Sequence, residues 1–176
     1  MDFRNYTAAQ SSRGLRNNNP LNLRPVGFSY EGQIDVDGAG HAIFKDVIYG
    51  IRAATLDLYT KYYVHGLKTF DDIIAVFAPY SDGNNEAEYV ATLKNLTGIG
   101  SGDIGLNGAN IERILKAFAF VELGKKYADL IASSDYVKGI NSANKEGLKV
   151  AVGVGGSFLI VVLVALLFAF SQKNNR

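Results

Sequence analysis

The sequence has no cysteine and no tryptophan, and only two histidines and three prolines in 176 residues. Without thiols there is no disulfide framework, no thiolate zinc site and no cysteine nucleophile. His41 and His65 are too few for an imidazole metal cage, and a Ser-His-Asp hydrolase would have to use one of them without any nucleophile-elbow sequence. An excess of one charge is missing too. Eighteen Lys and Arg against seventeen Asp and Glu leave +1, so no whole-molecule field draws in nucleic acid. No glycine-rich stretch follows a strand and opens a helix with Lys and Ser or Thr, which argues against a phosphate-cradling loop. Neither a cofactor nor a metal is expected. The opening MDFRNYTAAQSSRG has no apolar stretch, so no cleavable secretion signal is expected, and no internal repeat is present.

What is present is apolar: 48% of residues are hydrophobic, too many for a disordered chain. Residues 150–170 carry no charge over 21 positions, which at about 1.5 Å per residue matches the roughly 30 Å hydrocarbon core of a bilayer. A transmembrane helix is expected there, because a buried core helix would carry a polar stripe and this run has only Ser157. Lys145 and Lys149 precede it and Lys173 and Arg176 follow it, so flanking charge assigns no orientation.

Before that run, residues 1–13 read as a flexible arm. The segment RGLRNNNPLNLR packs Gly, Asn and Pro so closely that it must turn repeatedly, with Asn side chains bonding their own loop. Gln33-Ile34-Asp35-Val36-Asp37, then Gly38-Ala39-Gly40 and His41-Ala42-Ile43-Phe44, suggest a small hairpin. Val47, Ile51, Ala54, Leu58 and Tyr62 then recur at helical spacing up to His65-Gly66. Thr69 caps a second helix that Pro79 ends, EAEYVATLKNL forms a third, and NIERILKAFAFVEL a fourth that stops near Gly124. A short helix over 125–132 is expected, then a polar stalk over 133–149 and a basic tail over 171–176. The residues therefore read as a mainly α domain over 14–132 with one hairpin, enough for a single core.

Glu122 stands at the last turn of a helix whose preceding residues are almost all apolar. Burial and the negative end of the helix dipole both favour the protonated carboxyl, which is how a general acid is made. On spacing alone the other reading stays open, an exposed helix end paired with Lys125 or Lys126. Glu31, Asp35 and Asp37 lie on or beside the hairpin and Asp82 in the loop after Pro79, where catalytic groups are commonly displayed. Strand alternation accounts equally for Asp35 and Asp37, and an Asx-turn for Asp82. Glu31 and Asp82 are the candidates for a second catalytic carboxylate. Arg16, Asn17, Asn18, Asn19 and Asn22 form a candidate cleft floor suited to sugar amides and hydroxyls, or a structural turn. Tyr30, Tyr80, Tyr89 and the tyrosines of the first long helix offer ring faces for sugars, or a core with one wet end.

RGLRNNNPLNLR with the hairpin, then YGIRAATLDLY, then IIAVFAPYSDGNN, resembles a family of phage virion proteins related to lysozyme-like peptidoglycan hydrolases and lytic transglycosylases. That family's pattern is roughly R-G-I-R-N-N-N-P-x-N-I, W-x-G, F-x-x-F, G-I-R-A and W-A-P-P-x-E-N-x-T, and it often ends in an apolar helix closing on Glu-x-Gly, here Glu122-Leu123-Gly124. The resemblance covers about residues 13–124. Tyr30-Glu31-Gly32 stands at W-x-G, Phe77 at the Trp before A-P, Tyr80 at the second Pro, and Asp82-Gly83 at Glu-Asn. Flagellar-type glucosaminidases are similar in a weaker way, with the acidic helix and the Asn segment in the opposite order. The resemblance implies a lysozyme-like α+β domain, peptidoglycan as substrate and Glu122 as acid; the single-pass C-terminal anchor expected from the uncharged run is unusual for a free lysin and fits a virion or host membrane. Its implied partners are the lipid bilayer and capsid or other virion membrane proteins, with action at host cell penetration. A non-catalytic virion protein linking membrane and capsid is the alternative.

Overall fold

A computed structural model of the chain describes residues 1–151; the side chains of Asp82 and of residues 146–151 lie outside that description. In chain order the elements are α1 (Arg13–Arg16), β1 (Gln33–Val36), β2 (Ala42–Phe44), α2 (Val47–Tyr59), α3 (Phe70–Phe77), α4 (Glu86–Thr97), α5 (Ile111–Leu123), α6 (Lys125–Ala128) and α7 (Ser133–Ala151). A π-helical turn, Thr60–Val64, extends α2, and a 3-10 turn, Tyr80–Asp82, follows α3. Polar caps set the boundaries. The Asp46 side chain accepts from Ile48 N, Thr69 and Asp72 form a reciprocal capping box, and Asn85 accepts from Glu88 N, each satisfying a helix N–H that has no intrahelical partner.

The core is built around α5. Ile111, Ile114, Leu115, Phe118 and Ala119 are completely buried, and the helix packs against α1, α2, α4, α6 and α7. Phe118 meets Phe77 edge-on at 5.3 Å and Tyr89 at 5.8 Å, which locks α3 and α4 onto α5. The sheet has two antiparallel strands, pairing Asp35 with Ile43 and Val36 with Ala42. β2 turns Ala42 and Phe44 fully into the core, while Ile34 and Val36 of β1 are exposed.

The Asn-rich loop is pinned between these units. A Cβ on Gly50 would lie 2.0 Å from the Asn18 carbonyl oxygen, and one on Gly14 would lie 2.6 Å from Asn22 Oδ1 and 2.8 Å from Leu123 Cδ2. Only glycine lets the loop approach α2 and the end of α5 this closely. Phe44 N donates to Asn17 O and Ala42 N to Leu23 O, tying the loop to β2 as well.

Three expectations are corrected. The expected fold included a transmembrane helix, but among the described residues no helix is long and apolar enough to cross a membrane, so the described fold is mainly helical with one two-stranded antiparallel sheet. The run 150–170 lies, after its first two positions, outside the described residues. The polar stalk over 133–149 is instead part of α7, which packs on α2 with Tyr136, Ile140 and Ala143 buried. Those three stand at i, i+4 and i+7, a narrow apolar stripe in a segment whose average is polar. Residues 1–13 are not a free arm: Phe3 is 1% exposed, Phe3 N donates to Asn18 Oδ1, and Val47 N donates to Met1 O.

Candidate functional site

The helix end that carries Glu122 is placed by the burial of the whole preceding helix, and Gly124 stops it with φ 79°. Glu122 is half-buried. Its two oxygens have separate partners: Tyr89 Oη donates to Oε1 at 2.8 Å and Asn22 Nδ2 donates to Oε2 at 2.8 Å. Burial pushes the Glu122 carboxyl up, and the Asn22 and Tyr89 hydrogen bonds and the nearby Arg13 charge offset only part of that rise. The same contact, with burial, pushes the Tyr89 hydroxyl well above its ordinary value, so Tyr89 remains a donor. Asn22 holds φ 49°, a left-handed conformation that Asn tolerates better than most residues.

Glu122 and Asn22 line a cleft of about 560 Å³. Tyr30, Phe28, Phe77 and the exposed Val26 and Val76 give it apolar walls, which suits the faces of sugar rings. Asp57 and Lys61 line it too, paired at 2.6 Å. Among the described residues Asp57 Oδ2 is buried with no hydrogen-bond partner. A larger concavity of about 740 Å³ lies beside α5 and α7, where Lys116 is paired with Glu112 at 2.6 Å. It brings together no carboxyl comparable to Glu122, so the chemistry is assigned to the smaller cleft.

A second polar cluster borders the same cleft. Asp37 Oδ1 accepts from Ala39 N and His41 N and stands 3.2 Å from His41 Nδ1, while Oδ2 accepts from Asn17 Nδ2 at 2.8 Å. Burial works against the Asp37 carboxylate, but these donors hold it well below the usual carboxylate range. His41 is 4% exposed and burial, with Arg13 and Arg24 beside it, lowers its pKa against the opposing pull of Asp37. Its Nε2 faces Arg13 Nη2 at 3.3 Å and Arg24 Nε at 3.2 Å.

The structure brings Glu122, Asn22 and Tyr30 of the sequence-read site to one cleft. Arg16, Asn17, Asn18, Asn19, Glu31 and Tyr80 do not line it. Asn18 and Asn19 are completely buried and turned inward: Asn18 Nδ2 donates to Phe44 O and Asp2 Oδ1, and Asn19 donates to Leu23 O and Ala42 O while accepting from Leu23 N. Asn17 is spent on Asp37, and Arg16 Nη1 donates to Ser11 O at 2.5 Å. Three successive amides hold the loop to its neighbours, so the cleft floor reduces to Asn22. Glu31 lies outside the cleft wall, paired at 2.9 Å with Arg52, and Tyr80 is 78% exposed on its 3-10 turn. Asp82 ends that turn, and its side chain lies outside the description. Pairing of Glu122 with Lys125 or Lys126 is not what is found, since Lys125 pairs with Asp129 at 2.6 Å. Sequence reading missed Asp57, Lys61 and the Arg13–His41–Arg24 cluster. Asp57 and Lys61 are an i, i+4 pair and so have a local signal; the cluster has none.

No family model matches the chain. The chain is similar to Protein P5 of Pseudoalteromonas phage PM2, with 37% identity over 94 residues. The match covers 51% of this chain and 58% of that phage protein, so the chain spans little more than half the length of the curated relative it matches. The protein is thus related to a phage protein over about half its length.

Proposed function

We propose that the protein is a virion-associated enzyme that cleaves the glycan strand of peptidoglycan when the phage penetrates its host, with Glu122 as the general acid. The observation that carries this reading is a half-buried carboxyl, its pKa raised by desolvation, held by Tyr89 and Asn22 at the wall of an aromatic-lined cleft. The phage relative and the Asn-rich, G-I-R-A and Glu-x-Gly motifs support the substrate and the setting.

In the cleavage step the protonated Glu122 gives its proton to the glycosidic oxygen, and the C1–O bond breaks with its electron pair leaving on that oxygen. The positive charge that develops at C1 is then quenched by an oxygen nucleophile, whose proton Glu122 takes back. Tyr89 and Asn22 are positioning residues: they fix both carboxyl oxygens in either protonation state. Among the described residues the other carboxylate lining the cleft is Asp57, already tied to Lys61. With Glu122 serving both half-steps the nucleophile is the sugar's own C6 hydroxyl, the transglycosylase outcome, whereas water held by a second free carboxylate gives hydrolysis.

Digestion of purified cell walls by the full chain, with mass spectrometry of the released muropeptides, tests this. Products ending in 1,6-anhydro rings are expected; reducing ends show water as nucleophile, and absence of soluble products across pH 4–8 with folded protein overturns the enzymatic reading.

A further inference from the structure

We propose that Arg13 and Arg24 form a carboxylate-binding subsite beside Glu122 that takes the free carboxylates of the peptide stem carried by a glycan strand. The ligand class rests on the peptidoglycan reading above; the anion preference rests on the geometry alone.

Both guanidinium groups converge on one atom. His41 Nδ1 faces Asp37 Oδ1 at 3.2 Å, so Nδ1 carries the proton and Nε2 is an acceptor with a single in-plane lone pair. Arg13 Nη2 at 3.3 Å and Arg24 Nε at 3.2 Å compete for that lone pair, and one neutral imidazole cannot neutralise two cations. Asp37 offsets part of the charge from 3.8 Å away on Arg13 Nε, yet it already takes two backbone N–H groups and Asn17. Arg24 has no ion pair among the described residues and is exposed, and the Arg13 side chain is 49% exposed. Both line the Glu122 cleft, while its opposite charged pair, Asp57 with Lys61, is self-neutralising.

A buried, uncharged histidine thus holds two cations at the rim of a cleft with donors to spare. Two guanidinium forks at that spacing suit a planar carboxylate, which each fork can grip through paired N–H groups. A neutral glycan offers nothing to compensate them. The stem peptide of peptidoglycan leaves the glycan at the muramyl residue and carries free carboxylates close to the bond to be cut, so an anion at Arg13 and Arg24 would fix which sugar sits against Glu122.

Calorimetric titration of the full chain with Glu122→Gln, which prevents turnover, is the test. The probes are a disaccharide-tetrapeptide muropeptide and the same muropeptide with its carboxylates amidated. The acid form is expected to bind about tenfold tighter or more, the usual scale of a charge-assisted hydrogen bond, and to shift the His41 imidazole resonances. Arg13→Gln with Arg24→Gln in the same background is expected to erase the preference and leave binding of the amidated form unchanged; Arg24→Gln alone serves if the double variant does not fold. Equal binding of the two forms, or a preference that survives the arginine changes, overturns the subsite while leaving the glycan reading intact. Binding of neither form removes the peptidoglycan reading and, with it, this ligand.

Discussion

Asn22 Nδ2 donates to Glu122 Oε2 at 2.8 Å across 100 residues of sequence, and this one bond joins the Asn-rich loop at the start of the chain to the end of α5. The loop is otherwise held by inward-facing amides, and Asn22 is the amide it spends on the cleft. Asn22→Gly keeps the left-handed backbone available while removing the donor, so the fold is expected to survive. Because the Asn22 bond lowers the Glu122 pKa, its loss is expected to move the alkaline limb of a pH–activity profile to higher pH and to reduce turnover. An unchanged profile contradicts the positioning role.

Tyr89→Phe retains the ring against Phe77 and Phe118 and deletes the hydroxyl on Glu122 Oε1. The stability cost is expected near 1 kcal/mol, by thermal or urea unfolding, with the alkaline limb again displaced upward. A full Tyr89→Ala collapse with a silent Tyr89→Phe would leave Tyr89 as core alone.

Asn19→Ala leaves Leu23 N, Leu23 O and Ala42 O without their side-chain partner in a completely buried site. A loss of about 2–4 kcal/mol in unfolding free energy is expected, with activity falling only as far as folded protein falls. Gly50→Ala is expected to be of similar severity, since its methyl would meet the Asn18 backbone oxygen at 2.0 Å. A variant of either kind with wild-type melting temperature contradicts the structural role of the loop.

Tyr136→Ala tests whether α7 belongs to the fold. Tyr136 is 1% exposed, and truncation there is expected to cost about 3–5 kcal/mol, read by urea unfolding. A mere stalk would tolerate the change within about 0.5 kcal/mol.

Much of this architecture was legible in local pattern. Thr69, Pro79, Gly98 and Gly124 mark helix ends, and the apolar run from Ala117 to Val121, with Ile114 and Leu115 before it, marks the central helix. The stripe of Tyr136, Ile140 and Ala143 was hidden because Ser, Asn and Lys around it make the average polar, and only packing on α2 shows which three residues matter. The same limit applies at the site. Glu122 was conspicuous as a carboxyl ending an apolar helix, but Tyr89 and Asn22 become its partners only when α4 and the loop meet that helix end. Asn17, Asn18 and Asn19 share a residue type with Asn22, and composition does not tell an inward amide from one facing a cleft. Arg13 and Arg24 stand at the two ends of the Asn-rich segment and His41 beside β2, and the three converge only when that segment docks on β2.

Glu122→Gln with cell-wall digestion tests the central claim most directly. The amide keeps the shape of the protonated carboxyl, with one oxygen to accept from Asn22 and an N–H that the Tyr89 hydroxyl oxygen can accept. It removes the transferable proton, so glycan cleavage is expected to fall by about 10²-fold or more while the fold persists. Since burial raises the Glu122 pKa in the folded state, its contribution to stability is full below the unfolded carboxyl value and is lost as pH rises through the folded one. The variant is therefore expected to be as stable as the parent or more so near pH 7, with any advantage shrinking on acidification. A folded Glu122→Gln protein that digests cell walls at the parent rate contradicts the account.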